Sequence, residues 1–182
     1  MILSDIDIQK YIKEGKIKIL PNFDPKNIRP VGIRVHLGDE LLIPKPHQRV
    51  NLLEPIELQY ETKNISDSEY IIKPGEFVLG STYERIQVPN TIVGQLDGRS
   101  TIARVGLQIH CTSEIIDGNH EHPRCVVLEI RNIGNFEIVL TSRVPIGMLI
   151  FHQSTSPIKQ RSQVQYQNQT GVQAPNLLVQ LK

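Results

Sequence analysis

The sequence predicts a mainly β fold on three observations. Short apolar runs alternate with polar residues, turn-forming dipeptides separate them, and a single amphipathic segment stands at the N-terminus. The strand-like runs recur at the interval expected of a barrel or a sandwich. With 182 residues the chain fits one domain and is long enough to bury a core. Residues 1–153 read as that domain, including its N-terminal helix, and residues 154–182 as a polar C-terminal arm.

Ser4, followed by Asp7, has the spacing of a capping box with Asp in place of Glu, and Ile8, Tyr11 and Ile12 share one helical face. A helix is therefore expected from Asp5 to Glu14, ended at Gly15. A short strand follows at Ile17 to Leu20. The segment PNFDPKNIRP, with three prolines in ten residues, is expected to be a loop and excludes a helix. Ile33, Val35 and Leu37 then alternate with Arg34 and His36 as in a half-buried strand ending at Gly38. Leu41 to Ile43 is a second strand with Val50 to Leu58 as its candidate partner, and Thr62 to Glu69 is polar enough for an exposed loop.

Tyr70 to Ile72 leads into the Pro74-Gly75 turn, and Phe77 to Leu79 resumes the strand pattern. Further strands are expected at Glu84 to Val88, Ile92 to Gln95, Leu107 to Cys111, Val126 to Arg131, Phe136 to Leu140 and Met148 to His152. Turn formers lie between them at Pro89-Asn90, Asp97-Gly98, Asp117-Gly118 and Gly134-Asn135. Ser100 to Arg104 has room for one helical turn. Beyond Gln153 little is left to bury, so the arm is expected to be mobile unless a ligand or another subunit orders it.

Lys and Arg number 20 against 19 for Asp and Glu, so no overall positive field recommends long nucleic acid as a partner. Cys111 and Cys125 could form one bridge, but their apolar settings favour small buried hydrophobes on strands. No basic segment leads into a long apolar run, and no window is long enough to span a bilayer. A soluble, reduced, cytoplasmic protein is the expectation.

The stretch from Asp97 to Asn132 concentrates the side chains with chemistry. Arg99, Ser100 and Thr101 follow a glycine turn with a guanidinium and two hydroxyls, equipment suited to phosphate oxygens or to a solvated turn. Arg104 faces the side of Ser100 if the intervening residues are helical. Glu129 stands inside the apolar run Val126, Val127, Leu128 and Ile130. Such a carboxylate is either a base with a tuned pKa or a residue on the solvated face of an antiparallel sheet. Asp117, His120, Glu121 and His122 are metal-ligand types without diagnostic spacing, and the Cys-x-x-Cys of the zinc nucleobase deaminases is absent from the sequence. His110 reads as a core or interface histidine. Tyr166 and Gln169 are arm residues able to fold over a ligand.

Taken together, PGEFVLGST at Pro74 to Thr82, LDGRSTIARVGLQIH at Leu96 to His110, the Ile116-Asp117-Gly118 turn, VVLEIRN at Val126 to Asn132, PIGMLI at Pro145 to Ile150 and YQNQTG at Tyr166 to Gly171 resemble the dCTP deaminase family in order and spacing. The resemblance implies a distorted β-barrel or jelly-roll-like fold of the dUTPase type, assembled as a homotrimer with sites at subunit interfaces. It implies that Glu129 activates a water that attacks C4 of the cytosine ring, without zinc. Ser100 and Arg104 would position that water, the glutamate and the base.

By the same resemblance, Arg99, Ser100 and Thr101 form the turn that holds a triphosphate carrying Mg²⁺, and Ile102, Ala103 and Arg104 belong to the substrate-binding set. Asp117 would bond the deoxyribose 3′-hydroxyl, Val127, Leu128 and Glu129 belong to the substrate-binding set with Tyr166, and Gln169 would close over the phosphates. The implied ligands are dCTP, with dUTP and dTTP as further candidates. The rival readings are a dUTPase, a bifunctional deaminase that yields dUMP, and a nucleotide-binding module without turnover.

The chain departs from the family at four places. Asp117-Gly118-Asn119-His120 replaces Asp-Pro-Gly-aromatic in a slightly longer segment. Arg34 and His36 replace the acid and the arginine of Ser-x-Asp-x-Arg-Leu-Gly, Gln165 replaces an arm lysine, and His152 replaces a glutamine.

Overall fold

The computed structural model describes residues 1–52, 54–55, 57–160, 166 and 169–175. Helix α1 (Asp5–Lys13) starts as the capping box requires: Ser4 Oγ accepts from the Asp7 amide at 3.4 Å, and Asp7 Oδ2 accepts from the Ser4 amide at 3.2 Å. Gly15, at φ 67°, lets the chain leave the helix through the left-handed region. The strands follow as β1 (Lys18–Leu20), β2 (Ile28–Arg29), β3 (Gly32–His36), β4 (Glu40–Pro44), β5 (Tyr60–Asn64), β6 (Glu69–Ile72), β7 (Phe77–Ser81) and β8 (Arg85–Gln87). Then come β9 (Ile92–Gly98), helix α2 (Ser100–Arg104), β10 (Leu107–Gln108), β11 (Ile115–Ile116), β12 (Val127–Asn132), β13 (Ile138–Thr141) and β14 (Pro145–Gln153).

Two antiparallel five-stranded sheets carry the domain, in the orders β10-β12-β7-β4-β5 and β11-β9-β14-β3-β2, with small pairs β1-β8 and β13-β6 beside them. The sheets do not close into one barrel; the arrangement is that of a jelly-roll-like sandwich. Strand alternation sorts the side chains. Leu128 and Ile130 of β12, Ile92 and Leu96 of β9, and Leu149 and Phe151 of β14 all point into one shared core. Burying such side chains contributes roughly 1.5–3 kcal/mol each, which makes this alternation the main determinant of register. No helix among the described residues is long and apolar enough to cross a membrane.

Several elements differ from the sequence expectation for identifiable reasons. The partner of β4 is β5, with Leu42 opposite Thr62, and not the segment Val50 to Leu58. β5 is an edge strand, and edges tolerate the polar composition that made Thr62 to Glu69 read as a loop. The proline-rich segment holds a 3₁₀ turn at Pro25–Asn27, because a proline in the first turn needs no amide and Asp24 accepts from the Lys26 amide at 2.9 Å. Strand β10 stops at Gln108, leaving His110 and Cys111 outside it. Cys111 is exposed, Cys125 is buried just before β12, so neither lies on a strand, against the expectation, and both thiols are free.

Phe151 is fully buried in the middle of β14. Phe151→Ala is expected to destabilise the domain by about 3–5 kcal/mol, read as a lower urea midpoint with the slope unchanged.

Candidate active site

Strand β12 pairs with β7 in the register Val127↔Ser81, Leu128↔Gly80 and Glu129↔Leu79. With Leu128 and Ile130 committed to the core, Val127 and Glu129 project from the opposite face, where both line a cavity of about 490 Å³. Leu79 and Phe77 of β7, Tyr60 of β5 and Ile115 and Ile116 of β11 build its apolar walls. The Glu129 carboxylate is half-buried, and its Oε2 accepts a hydrogen bond from the Cys111 amide at 3.0 Å. Glu129 is thus oriented by the backbone of the segment that follows β10. A half-buried, oriented carboxylate facing a cavity can exchange protons with a molecule held there.

The arm closes one side of this cavity. Tyr166, Gln169, Gln173 and Pro175 line it, Gln169 is 4% exposed, and the Gln169 carbonyl accepts from the Cys125 amide at 3.1 Å. Cys125 Sγ lies 3.3 Å from the Thr170 carbonyl. Gln169 and Thr170 therefore meet the domain of their own chain through their carbonyls at Cys125. Gln165 lies outside the described residues. Burial pushes the Cys125 thiol up to about 11, so it stays protonated at neutral pH and is no nucleophile. Burial first and Glu129 second raise the Cys111 thiol.

The other residues singled out by sequence lie apart from this cavity. Arg99 caps α2, and its Nη1 donates to the Pro145 carbonyl at 2.5 Å. Burial, then the nearby Arg34 and Arg29, hold the Arg99 guanidinium below its ordinary pKa. Arg34 thus joins a cluster of arginines. Ser100, Thr101, Ala103 and Arg104 are exposed on α2, Ile102 packs against the core, and Leu128 sends its side chain into the core. Asp117 is exposed where the chain leaves β11. The turn there requires glycine, since a Cβ on Gly118 would sit 2.2 Å from the Ile92 carbonyl oxygen. One chain thus brings Glu129, Val127, Tyr166 and Gln169 to a common cavity and leaves Arg99 to Arg104 and Asp117 outside its lining.

Sequence reasoning missed Arg124, which also lines the cavity. Its backbone bridges Ile86 of β8, and its Nη2 meets His120 Nε2 at 2.6 Å. A ring nitrogen that accepts from a guanidinium must be unprotonated. Burial and Arg124 accordingly push the His120 pKa down to about 4. Burial also lowers the Arg124 pKa, with Asp117 opposing. The loop that carries the two is clamped by Gln87, whose Nε2 donates to the His120 and Glu121 carbonyls at 2.8 and 2.9 Å. Among the described residues no group of three or more His, Cys, Asp or Glu is arranged to hold a metal ion. His110, read as a satisfied histidine, has a buried Nδ1 without a hydrogen-bond partner among the described residues.

A fold of this kind has been seen in an enzyme: the crystal structure of 2′-deoxycytidine 5′-triphosphate deaminase from Agrobacterium tumefaciens superposes with a TM-score of 0.64 at 17% identity. The match covers 84% of this chain and 48% of that one, and it speaks for the fold alone. A sequence model described as dCTP deaminase-like matches residues 2–154. Among curated relatives, the dCTP deaminase, dUMP-forming, of Methanothermobacter thermautotrophicus is 39% identical over 86% of this chain and 81% of its own length. Its counterpart in Methanosphaera stadtmanae is 34% identical over 97% of this chain and 93% of its own length. The dCTP deaminase of Halorubrum lacusprofundi is 33% identical over 97% and 91%. This chain belongs to the dCTP deaminase-like family.

His120 gives the pH dependence a definite sign. Its folded pKa, about 4, lies below the ordinary value of about 6.5. The unfolded chain therefore binds the proton more readily, and stability present above pH 6.5 is lost as the pH falls towards 4. In a proton NMR titration the His120 ring resonance should stay unprotonated down to about pH 5, and His120→Gln should flatten the acid limb of the urea midpoint against pH.

Proposed function

We propose that this chain hydrolyses dCTP to dUTP and ammonia, with Glu129 as general base and then general acid. The observation that carries the reading is the Glu129 carboxylate, held by the Cys111 amide at 3.0 Å and facing a cavity of about 490 Å³ that Tyr166, Gln169, Gln173 and Pro175 line on one side. Glu129 takes a proton from a water molecule as its oxygen adds to C4, and that proton passes to ring N3. A second transfer carries the hydroxyl proton of the adduct to the amino nitrogen. The C4–N bond then breaks, ammonia leaves and C4 becomes a carbonyl. Zinc has no part in this sequence, and His120 is engaged by Arg124.

Arg99, Ser100 and Thr101 are assigned to the triphosphate, Ser100 and Arg104 to the water and base, and Asp117 to the sugar. Mg²⁺ enters as an ion carried by the nucleotide, since guanidinium and hydroxyl groups suit phosphate oxygens rather than a cation. Because α2 does not line its own chain's cavity, we assign Ser100 and Arg104 of one subunit to the Glu129 cavity of another in a homotrimer. A second reading, further hydrolysis to dUMP, is favoured by relatives whose names specify a dUMP-forming enzyme.

Incubation with dCTP and Mg²⁺ should release ammonia, with dUTP as the organic product. Conversion to dUMP and pyrophosphate would select the second reading, and the absence of any product at high protein concentration would refute both. Glu129→Gln should lower kcat by about 10²–10⁴; an unchanged kcat would remove the assigned base. Mixing Glu129→Gln with Ser100→Ala subunits should restore activity to about a quarter of the sites, and failure of such mixed assemblies to recover activity would show that one chain supplies both residues.

A further inference from the structure

We propose that Arg124 is a phosphate-binding residue of the Glu129 cavity, set in place by His120, and that it makes affinity depend on the nucleotide's phosphate chain rather than on its base. The proposal rests on the assignment of that cavity to a nucleotide and adds to it a recognition residue that the family motifs do not contain.

Arg124 is a half-buried cation that lines the cavity, and among the described residues no carboxylate forms an ion pair with it. Asp117 acts on it only at longer range. Its close partner is neutral: His120 Nε2 accepts from Nη2 at 2.6 Å and contributes orientation without cancelling the charge. A cation that has given up part of its hydration without an ion pair among the described residues can take an anion, and a guanidinium presents a fork that matches phosphate oxygens. One Nη meets His120, and among the described residues no side chain takes the rest of the fork.

The framework around it is firm. The Ile86 amide donates to the Arg124 carbonyl at 2.8 Å, the Arg124 amide donates to the Ile86 carbonyl at 3.1 Å, and Gln87 clamps the loop before it.

Position along the chain decides which part of the ligand Arg124 meets. It precedes Glu129 by five residues, at most about 16 Å along an extended chain. With Glu129 at C4 of the ring, that reach extends beyond the width of a base, towards the sugar and phosphate chain of a nucleotide. The walls between them are apolar, with Val126, Val127 and Ile116 lining the intervening cavity. Sugar and base can bury against them, with the Glu129 carboxylate at the base and the Arg124 guanidinium as the cation of the lining.

The test compares Arg124→Gln and Arg124→Lys with the parent full-length chain, using dCTP, deoxycytidine and inorganic tripolyphosphate as probes. Arg124→Gln should raise the dCTP KM by about tenfold or more, with kcat changed by less than about threefold, as expected for losing a charge-assisted contact made in both ground and transition states. Arg124→Lys should recover part of that loss. By calorimetry, tripolyphosphate binding should weaken in Arg124→Gln while deoxycytidine binding stays as in the parent; equal weakening of both would overturn the proposal and leave Arg124 as a structural residue. An unchanged KM in a protein that deaminates dCTP would overturn it while leaving the deaminase reading intact. Tripolyphosphate binding that depends on Arg124 in a protein without deaminase activity would retain the site and refute the reaction.

Discussion

The alternation of β12 is the constraint on which the rest of the site depends. Leu128 and Ile130 are fully buried, and a strand that buries them must turn Val127 and Glu129 the other way. A slip of one residue would place the Glu129 carboxylate in the core and the two apolar side chains in water, an exchange costing several kcal/mol. Register with β7 prevents it, and Gly80 is part of the reason. A Cβ there would meet Ile130, Leu37 and Leu41 within 3.3 Å, so the small residue lets β12 and the neighbouring core side chains approach closely. Core packing and placement of the candidate base are therefore one event.

Polar order in the cavity is built from backbone groups more than from side-chain pairs. The Cys111 amide orients Glu129, the Cys125 amide holds the arm through the Gln169 carbonyl, and the Ile86 backbone fixes Arg124. Backbone donors are held by the sheet and lose little further freedom when they engage a side chain. His120 adds the remaining control. Buried against a guanidinium, it stays neutral through the physiological range and acts as an acceptor. Within the loop Gly118 to Arg124, His120 and Arg124 thereby form a defined contact, while Glu121 and His122 stay exposed.

Separation is as informative as convergence. Strand β9 ends at Gly98, Arg99 is tied to the Pro145 carbonyl, and α2 presents Ser100 and Arg104 to the outside. Arg29 and Arg34 of the clustered arginines lie on the sheet of β2 and β3, with Arg99 following its strand β9, and Glu129 lies on the other sheet. Within one chain these two groups of polar residues therefore stand apart.

Much of this was legible from the chain alone. Period-two alternation identified β3, β7, β9, β12 and β14, the Ser4-Asp7 pair announced α1, and the order of motifs identified the family, because each of these signals is local. Gly118 also stood in the sequence as a turn former, although the tight approach to Ile92 that requires it could be seen only in the fold. Tertiary structure alone decided the rest. Edge position, not composition, made a strand of Tyr60–Asn64, since an edge exposes one face and tolerates charge. The side of the sheet on which Glu129 emerges depended on which neighbours Leu128 found. Arg124 was invisible to motif reasoning because its role arises from a bridge to Ile86 and a contact with His120, and partners brought together by folding leave no spacing to read.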